Sequence, residues 1–460
     1  MQLAGKHITV VGLGKTGQAM AEFLLRQGAR VTVSDSASEQ QLGDVAGSLR
    51  QAGARVELGR HGPDAFENAD LIVLSPGVPH TIEQVRAARK AGVPVTGEIE
   101  LASRFINTPV VAVTGTNGKS TVTRLIGLML EKSGLTAFVG GNLGTPLISY
   151  ANGEQGADVV VAEISSFQLD TAESFHPAVG VLLNITADHL DRYPDLRTYG
   201  ESKAKLFSKQ TGRDTAVLNA ADPLVMELTE NINSRRCFFN SDAGGECNAW
   251  IDGSEISICT PHTGKAVIAG RDVFLPGRHN LENTAAAALA ALAAGADLKG
   301  VRDGLRDFKP DPHRMQWVAC INGINYYDDS KATNADAVAR AVEAMEAPVV
   351  LILGGRDKGG GYGSLAETIR RHAKALVVMG EAADTIYREL GKIVETRRAL
   401  SMDEAVAEAG GLASAGGTVL LSPACASFDM YESYARRGED FQRAVLSLGS
   451  DVDGKQHGKK

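Results

Sequence analysis

The segment Val111–Thr121, VAVTGTNGKST, constrains this chain more than any other, because it joins an apolar strand to a helix through a turn holding two glycines. Gly115 and Gly118 let the backbone aim its N–H groups at an anion, the helix N-terminus adds the positive end of its dipole, and Lys119 supplies a mobile charge. Those are the parts of a phosphate cradle. Ser120 or Thr121 then offers a hydroxyl to Mg²⁺. The spacing departs from the common nucleotide-binding loop, which carries a glycine five positions before the Gly-Lys pair; this chain has Val113 there.

Around this loop, short apolar runs alternate with helical patterns, which points to an α/β protein with parallel sheets. HITVV, RVTVS and LIVLS are strand candidates of a first unit, with a helix over Gln18 to Gln27. VVAVT, DVVVAEIS and AVGVLLNIT belong to a second unit, which closes on an Ala-rich helix from Leu281 to Ala294 and carries an inserted antiparallel β patch from about Cys237 to Val273. APVVLILGG, ALVVMG and GTVLLSPA form a third, entered through the linker FKPDPHR. At 460 residues the chain has room for these three domains, expected at 1–106, 107–311 and 312–450, the first and third Rossmann-like and the second an ATPase domain. Residues 451–460 read as a disordered tail.

Composition narrows the partners. A formal charge of −8 gives no support to nucleic-acid or anionic-membrane binding. The five cysteines are scattered, odd in number and without a CxxC pair, so neither a disulfide framework nor a zinc site is expected, which fits a cytoplasmic protein. The N-terminus enters a strand directly, and no apolar run is long enough to insert into a membrane.

Further motifs sit at strand ends. GLGKTG, Gly12 to Gly17, follows the first strand, and Asp35 ends the next, a pattern that suits a dinucleotide such as NAD or a UDP-type ligand equally. LSPGVP, Leu74 to Pro79, is a second turn able to face the same crevice. Glu163 ends the DVVVAEIS strand, where a carboxylate can hold Mg²⁺ beside bound phosphates. His189 follows a third strand in NITADHLDRY and is a second metal-ligand candidate. Lys203 lies on a predicted helix and by default is a solvated lysine.

Together these residues resemble the Mur ligase family of ATP-dependent amide-bond ligases. TGTNGKST is similar to its phosphate loop, SSFQLD and NITADHLDRY to its next two signatures, GRHNLENTAAA to its adenine-side helix, and DPHRMQ and DDSKATN to its entry into the third domain. The resemblance covers about 450 residues, and the GLGKTG start with LSPACASFDMYESYARRGEDF near the end is most similar to members that add D-glutamate to UDP-N-acetylmuramoyl-L-alanine. It implies that ATP phosphorylates the terminal carboxylate of that substrate, and that the amine of D-glutamate attacks the acyl phosphate.

The resemblance also implies roles. Lys119, with Gly115, Thr116, Asn117, Gly118, Ser120 and Thr121, would hold ATP phosphates; Asn283 the adenine side; Arg314, Asp329 and Lys331 the nucleotide from the third domain. Ser120 and Glu163 would bind one Mg²⁺ and His189 another, with Lys203 carbamylated into an anionic metal ligand; Lys119, His189 and Lys203 would be catalytic. Gly14, Lys15, Thr16, Asp35, Ser36, Ser75, Pro76, Gly77 and Asn142 would take the UDP-substrate. Thr333, Lys358, Ser427, Phe428 and Tyr434 would take D-glutamate. A monomer with a hinge near FKPDPHR that closes on ligand binding is expected.

Overall fold

β-branched residues and burial coincide in the first strand. His7–Val11 (β1) is buried on both faces except at its first residue, the mark of a central parallel strand. The computed structural model describes residues 1–241, 246–261, 263–268, 277–346, 348–359 and 361–456, with side chains described to residue 448. Arg30–Ser34 (β2), Arg55–Glu57 (β3), Leu71–Leu74 (β4) and Val95–Gly97 (β5) complete an all-parallel sheet in the order β3-β2-β1-β4-β5. The order reverses between β1 and β4, the crevice where such sheets place ligands.

A nine-stranded sheet follows, made of Val110–Thr114 (β6), Ala137–Gly141 (β7), Val159–Glu163 (β8), Val179–Leu182 (β9), Thr215–Asn219 (β10), Arg235–Phe239 (β11), Asn248–Asp252 (β12), Glu255–Thr260 (β13) and Gly264–Ile268 (β14). Its order is β14-β13-β12-β11-β10-β9-β6-β8-β7. Seven strands from β7 to β12 pair in parallel; the antiparallel patch expected from about Cys237 to Val273 is confined to the β12–β14 meander that continues the same sheet, because β11 pairs in parallel on both sides, and residues 269–273 lie outside the described residues. Helix Lys119–Lys132 turns Val122, Leu125, Ile126, Met129 and Leu130 into the core. Helix Arg278–Ala293 buries Ala285 through Ala291 on every side, which small side chains permit.

The third sheet holds Gln316–Ile321 (β15), Ile324–Asp328 (β16), Val349–Gly354 (β17), Ala373–Met379 (β18), Glu395–Arg398 (β19) and Thr418–Leu421 (β20), in the order β15-β16-β20-β17-β18-β19. All pairs are parallel except the β15–β16 hairpin at the edge. Its two faces carry separate cores, one around Val350, Ile352, Val377 and Phe441, the other around Leu351, Leu353, Val378 and Ile386. The chain packs as two compact units. Met1–Asn184, Gly200–Asp272 and Asn283–Asp307 form the first, with two sheets; Ile185–Tyr199, Val273–Glu282 and Phe308–Lys460 form the second, with one.

One expectation is corrected. Cys237 and Cys247 are joined in a disulfide, with their Cα atoms 4.7 Å apart. The cause is register: β11 and β12 pair Phe238 with Asn248, so the residues just before them face each other across the sheet. Helix Tyr434–Gln456 runs into the segment read as a tail, whose residues 457–460 lie outside the described residues.

Candidate active site

The phosphate loop leaves the C-terminal end of β6, between β9 and β8. Gly115 has φ +150° and Gly118 φ +86°, and a Cβ at Gly118 would lie 2.3 Å from Asn283 Oδ1. Glycine is therefore required at 118 by both conformation and space, and Asn283 is brought to the loop. The side chain of Asn184 braces it from the end of β9: Oδ1 accepts the Thr116 N–H at 3.1 Å and the Asn117 N–H at 2.8 Å, while Nδ2 donates to Asn117 O at 3.2 Å. Lys119 Nζ donates to the carbonyls of Gly115 (3.0 Å) and Thr116 (2.8 Å). Lys203 is 1% exposed, not a solvated lysine, and its Nζ donates to the same Gly115 carbonyl at 2.8 Å. Two amines on one carbonyl at a helix N-terminus make a strongly electropositive point. Ser120 and Thr121 are buried in the first turn of that helix.

Glu163 pairs in register with Val113, two residues before Gly115, so its carboxylate belongs to this end of the sheet. Oε1 accepts from Asn142 Nδ2 at 2.7 Å, whereas Oε2 is buried without a hydrogen-bond partner. The main chains are joined as well, Asn142 N–H donating to Glu163 O at 2.8 Å. A buried carboxylate oxygen left without a donor costs free energy unless a cation serves it.

In the first sheet, Gly12 has φ +92° and lies against Val78 and Ser75, and a Cβ on Gly17 would overlap Gly12 O at 1.8 Å. Gly14 and Gly77 face open space. Asp35 accepts the N–H groups of Leu13 (2.5 Å) and Ala37 (2.7 Å), which shapes the turn. Ser36 is exposed beside it, Pro76 is half-buried, and Ser75 Oγ donates to Gly12 O at 2.8 Å. Lys15, at the start of helix Lys15–Arg26 and followed by Thr16, donates to Gly144 O at 2.6 Å, two residues from Asn142.

In the second unit, Asp188 is the hub. Its carboxylate accepts from Lys358 Nζ at 3.3 Å and Asn334 Nδ2 at 3.2 Å, and the N–H of His189 donates to it at 2.9 Å. Lys358 also donates to Thr333 Oγ1 at 3.2 Å. Asp188, Lys358, Asn334 and Thr333 line a cavity of about 300 Å³ together with Thr186, Asp336 and Tyr362, and His189 does not. That volume suits a small polar ligand. His189 has φ +55° and sits edge-on to Tyr199 at 6.3 Å.

Asp329 is 7% exposed and accepts from Ser422 Oγ at 2.9 Å and the Met315 N–H at 3.3 Å; burial pushes its carboxyl up to about 7. Arg314 and Lys331 both lie 3.7 Å from Asp311. Ser427, Phe428 and Tyr434 do not line the Asp188 cavity. Ser427 Oγ is buried without a hydrogen-bond partner, Phe428 is exposed, and Tyr434 lies beneath Lys331 and edge-on to His313.

Family models match all three parts of the chain: a Mur ligase MurD-like N-terminal domain over residues 6–97, the Mur ligase middle domain over 113–291 and the Mur ligase glutamate ligase domain over 313–425. The UDP-N-acetylmuramoylalanine–D-glutamate ligase of Desulfosudis oleivorans is 50% identical over 448 residues, 97% of this chain and 98% of that protein. The protein of the same name from Desulfatibacillum aliphaticivorans is 51% identical, covering 97% and 100%. This chain belongs to the Mur ligase family. Solved structures share its three-domain fold: MurF from Acinetobacter baumannii, with a TM-score of 0.62 at 15% identity over 94% of this chain and 93% of that one, and MurC from Thermotoga maritima, with 0.58 at 20% over 96% and 99%.

Mur ligases use ATP and Mg²⁺, and the residues of this one fit the ion. Among the described residues no three His, Cys, Asp or Glu side chains cluster to cage a metal. Magnesium seldom needs such a cage, since one or two carboxylates with phosphate and water complete its octahedron. Glu163 Oε2 is the buried oxygen available for it. The residues of this Mur ligase's site that the sequence alone did not assign are Asn184, Asp188 and Asn334. Their quoted motifs were the signal, but their partners lie tens of residues away.

Proposed function

We propose that this chain joins D-glutamate to UDP-N-acetylmuramoyl-L-alanine, converting ATP to ADP and phosphate. A carboxylate becomes an electrophile only when its oxygen becomes a leaving group, so the reaction begins with transfer of the γ-phosphoryl group to the substrate carboxylate. The amine of D-glutamate then attacks the acyl phosphate, and the tetrahedral intermediate releases phosphate. The observation that carries the first step is the phosphate loop, where Lys119 Nζ lies on the carbonyls of Gly115 and Thr116 at a helix N-terminus and the neighbouring strand ends in Glu163 with an unpartnered buried oxygen. Catalysis then consists of alignment and charge stabilisation. The choice of substrates is supported by the near-full-length identity to the two D-glutamate ligases.

In the first unit, the loop amides from Thr116 to Ser120 and Lys119 hold the phosphates, Thr121 supports them and Asn283 serves the adenine. Ser120 and Glu163 hold one Mg²⁺, which when bound neutralises charge on the transferring phosphoryl group. Lys203, as a carbamate, is an anionic oxygen ligand rather than a cation that repels the ion. Gly14, Lys15, Thr16, Asp35, Ser36, Ser75, Pro76 and Gly77 take the uridine diphosphate, and Asn142 the sugar-peptide. In the second unit, His189 serves a second Mg²⁺, and Arg314, Asp329 and Lys331 serve the nucleotide. Lys358 with Thr333 receives a carboxylate of D-glutamate, and Ser427 and Phe428 give further donors beside Tyr434. The domain limits are 107 and 312, and the protein acts as a cytoplasmic monomer. Among the described residues no helix is long and apolar enough to cross a membrane.

A panel of amino acids tests the assignment, with phosphate release measured in the presence of ATP, Mg²⁺ and UDP-N-acetylmuramoyl-L-alanine. D-glutamate is expected to be the preferred acceptor, and preference for any other refutes the reading.

A further inference from the structure

Helix Glu98–Ser103 leaves the N-terminal sheet carrying two carboxylates that side-chain burial would normally exclude. Glu100 is explained by its neighbours, since it accepts the N–H groups of Glu173, Ser174 and Phe175 and pairs with Arg104. Glu98 is different. It is 1% exposed, has no cationic hydrogen-bond partner among the described residues, and both its oxygens are spent on elements that lead to Glu163.

Oε1 accepts the Ile148 N–H at 2.7 Å, at the start of helix Leu147–Ala151. That helix begins directly after the loop that carries Asn142, and Gly141 N–H closes the loop by donating to Thr145 O at 2.8 Å. Asn142 then holds Glu163 through side chain and main chain. On the other side, Glu98 Oε2 accepts from Gln168 Nε2 at 3.3 Å. The remaining amide oxygen of Gln168 accepts the N–H and hydroxyl of Ser165, each at 3.0 Å, and Ser165 lies two residues after Glu163. The contacts form a closed circuit: Glu98, the Asn142 loop, Glu163, Ser165, Gln168 and Glu98 again.

We propose that Glu98 is a positioning residue of the ligase reaction, which fixes from the N-terminal domain the orientation of Glu163 toward its metal and of Asn142 toward the sugar-peptide substrate. The inference rests on the reading of Glu163 as a metal ligand. The circuit has a direction, because both oxygens of Glu98 accept here and Gln168 cannot turn its amide without presenting a donor to the Ser165 N–H. A carboxylate at 98 is thus matched to an amide at 168. Such supporting partners of metal ligands commonly carry about 10- to 100-fold in metal affinity, and Glu98 stands one step further back.

The test uses the full chain with Mn²⁺ and a non-hydrolysable ATP analogue, with free Mn²⁺ read by electron paramagnetic resonance, beside steady-state kinetics and thermal unfolding. Glu98→Gln, which sets two amide donors against each other, is expected to weaken Mn²⁺ binding by at least about threefold. It is also expected to raise KM for the UDP-substrate while KM for D-glutamate stays within about twofold. The exchanged pair Glu98→Gln/Gln168→Glu restores every contact with only the hydrogen bond between residues 98 and 168 reversed, and is expected to recover both quantities. Unchanged Mn²⁺ binding in a folded Glu98→Gln protein overturns the role of Glu98, as does a uniform loss of active enzyme with every KM and the Mn²⁺ affinity intact. Glu163→Gln separates the two ideas. If it weakens Mn²⁺ binding and Glu98→Gln does not, only the Glu98 role fails; if it leaves Mn²⁺ binding intact, the metal reading beneath it fails.

Discussion

Gly118 shows how one residue sets the chemistry of this site. Its φ of +86° excludes most side chains at a cost of about 1–2 kcal/mol, and a methyl group would in addition meet Asn283 Oδ1 at 2.3 Å. Both penalties fall on the turn that presents the phosphate-binding amides. Gly118→Ala is therefore expected to lower kcat/KM for ATP by roughly 100-fold, the scale of a misplacement near 1 Å, with the protein still folded by circular dichroism. Wild-type kinetics in this variant would show that the loop does not align phosphate. Lys203 is the second decisive residue, since its amine is buried at Gly115 O. Lys203→Ala is expected to cripple turnover, and small added carboxylates are expected to restore part of it by supplying the missing anionic oxygen. Full activity without them contradicts the carbamate.

At the scale of elements, the apolar strands were readable because burial on both faces leaves no polar positions: β1, β6, β8 and β17 follow the runs HITVV, VVAVT, DVVVAEIS and APVVLILGG closely. The β15–β16 hairpin was not readable. It lies at an edge, and although β15 carries the apolar run WVACI, none of those residues is fully buried and Trp317 is 55% exposed, while β16 is buried only at alternate positions, so neither strand has the doubly buried character that marks the central ones. The site divides in the same way. Glycines and lysines of the phosphate loop announce themselves locally, whereas Asn184 acts on Asn117 across 67 residues and Asp188 on Lys358 across 170, which a linear pattern does not encode. Helix packing supplies a prediction at this scale. Helix Leu298–Asp307 runs so close to the phosphate-loop helix that a Cβ on Gly300 would lie 2.7 Å from Ser133 N and 2.9 Å from Met129 O. Backbone cannot retract as a side chain can, so the overpacking cost of about 1–3 kcal/mol exceeds the roughly 0.5–1 kcal/mol gained in helix propensity. Gly300→Ala is expected to lower Tm by a few degrees; a raised Tm would mean that the helices separate at no cost.

Over the whole molecule, each packed unit contains a carboxyl held near neutrality by burial: Glu98 in the first and Asp329 in the second, both pushed up to about 7. Hydrogen bonds from Ile148 and Gln168, and from Ser422 and Met315, act the other way in each case without prevailing. The sign follows from linkage. A folded-state pKa above the unfolded value gives a contribution to stability that is complete below the unfolded pKa, near 4, and is lost as pH rises through the folded pKa, near 7. At about 1.4 kcal/mol per unit, each group removes roughly 3–4 kcal/mol of stability between those limits. Glu100 and Asp214, whose pKa values are lowered, oppose this trend, because their contributions are lost as pH falls. Net stability of the parent protein is consequently a poor readout, and the difference between parent and variant is the informative one. Urea unfolding at pH 5, 6.5 and 8 is expected to show the Asp329→Asn and Glu98→Gln proteins gaining stability relative to the parent as pH rises, by a few kcal/mol each across the range. For Glu98→Gln the gain is superimposed on a pH-independent loss from the broken Gln168 contact, so its curve starts lower and has the same slope. A parent-to-variant difference that is flat with pH would mean that these carboxyls are ionised throughout, and that each unit tolerates a buried charge that its local hydrogen bonds fully compensate.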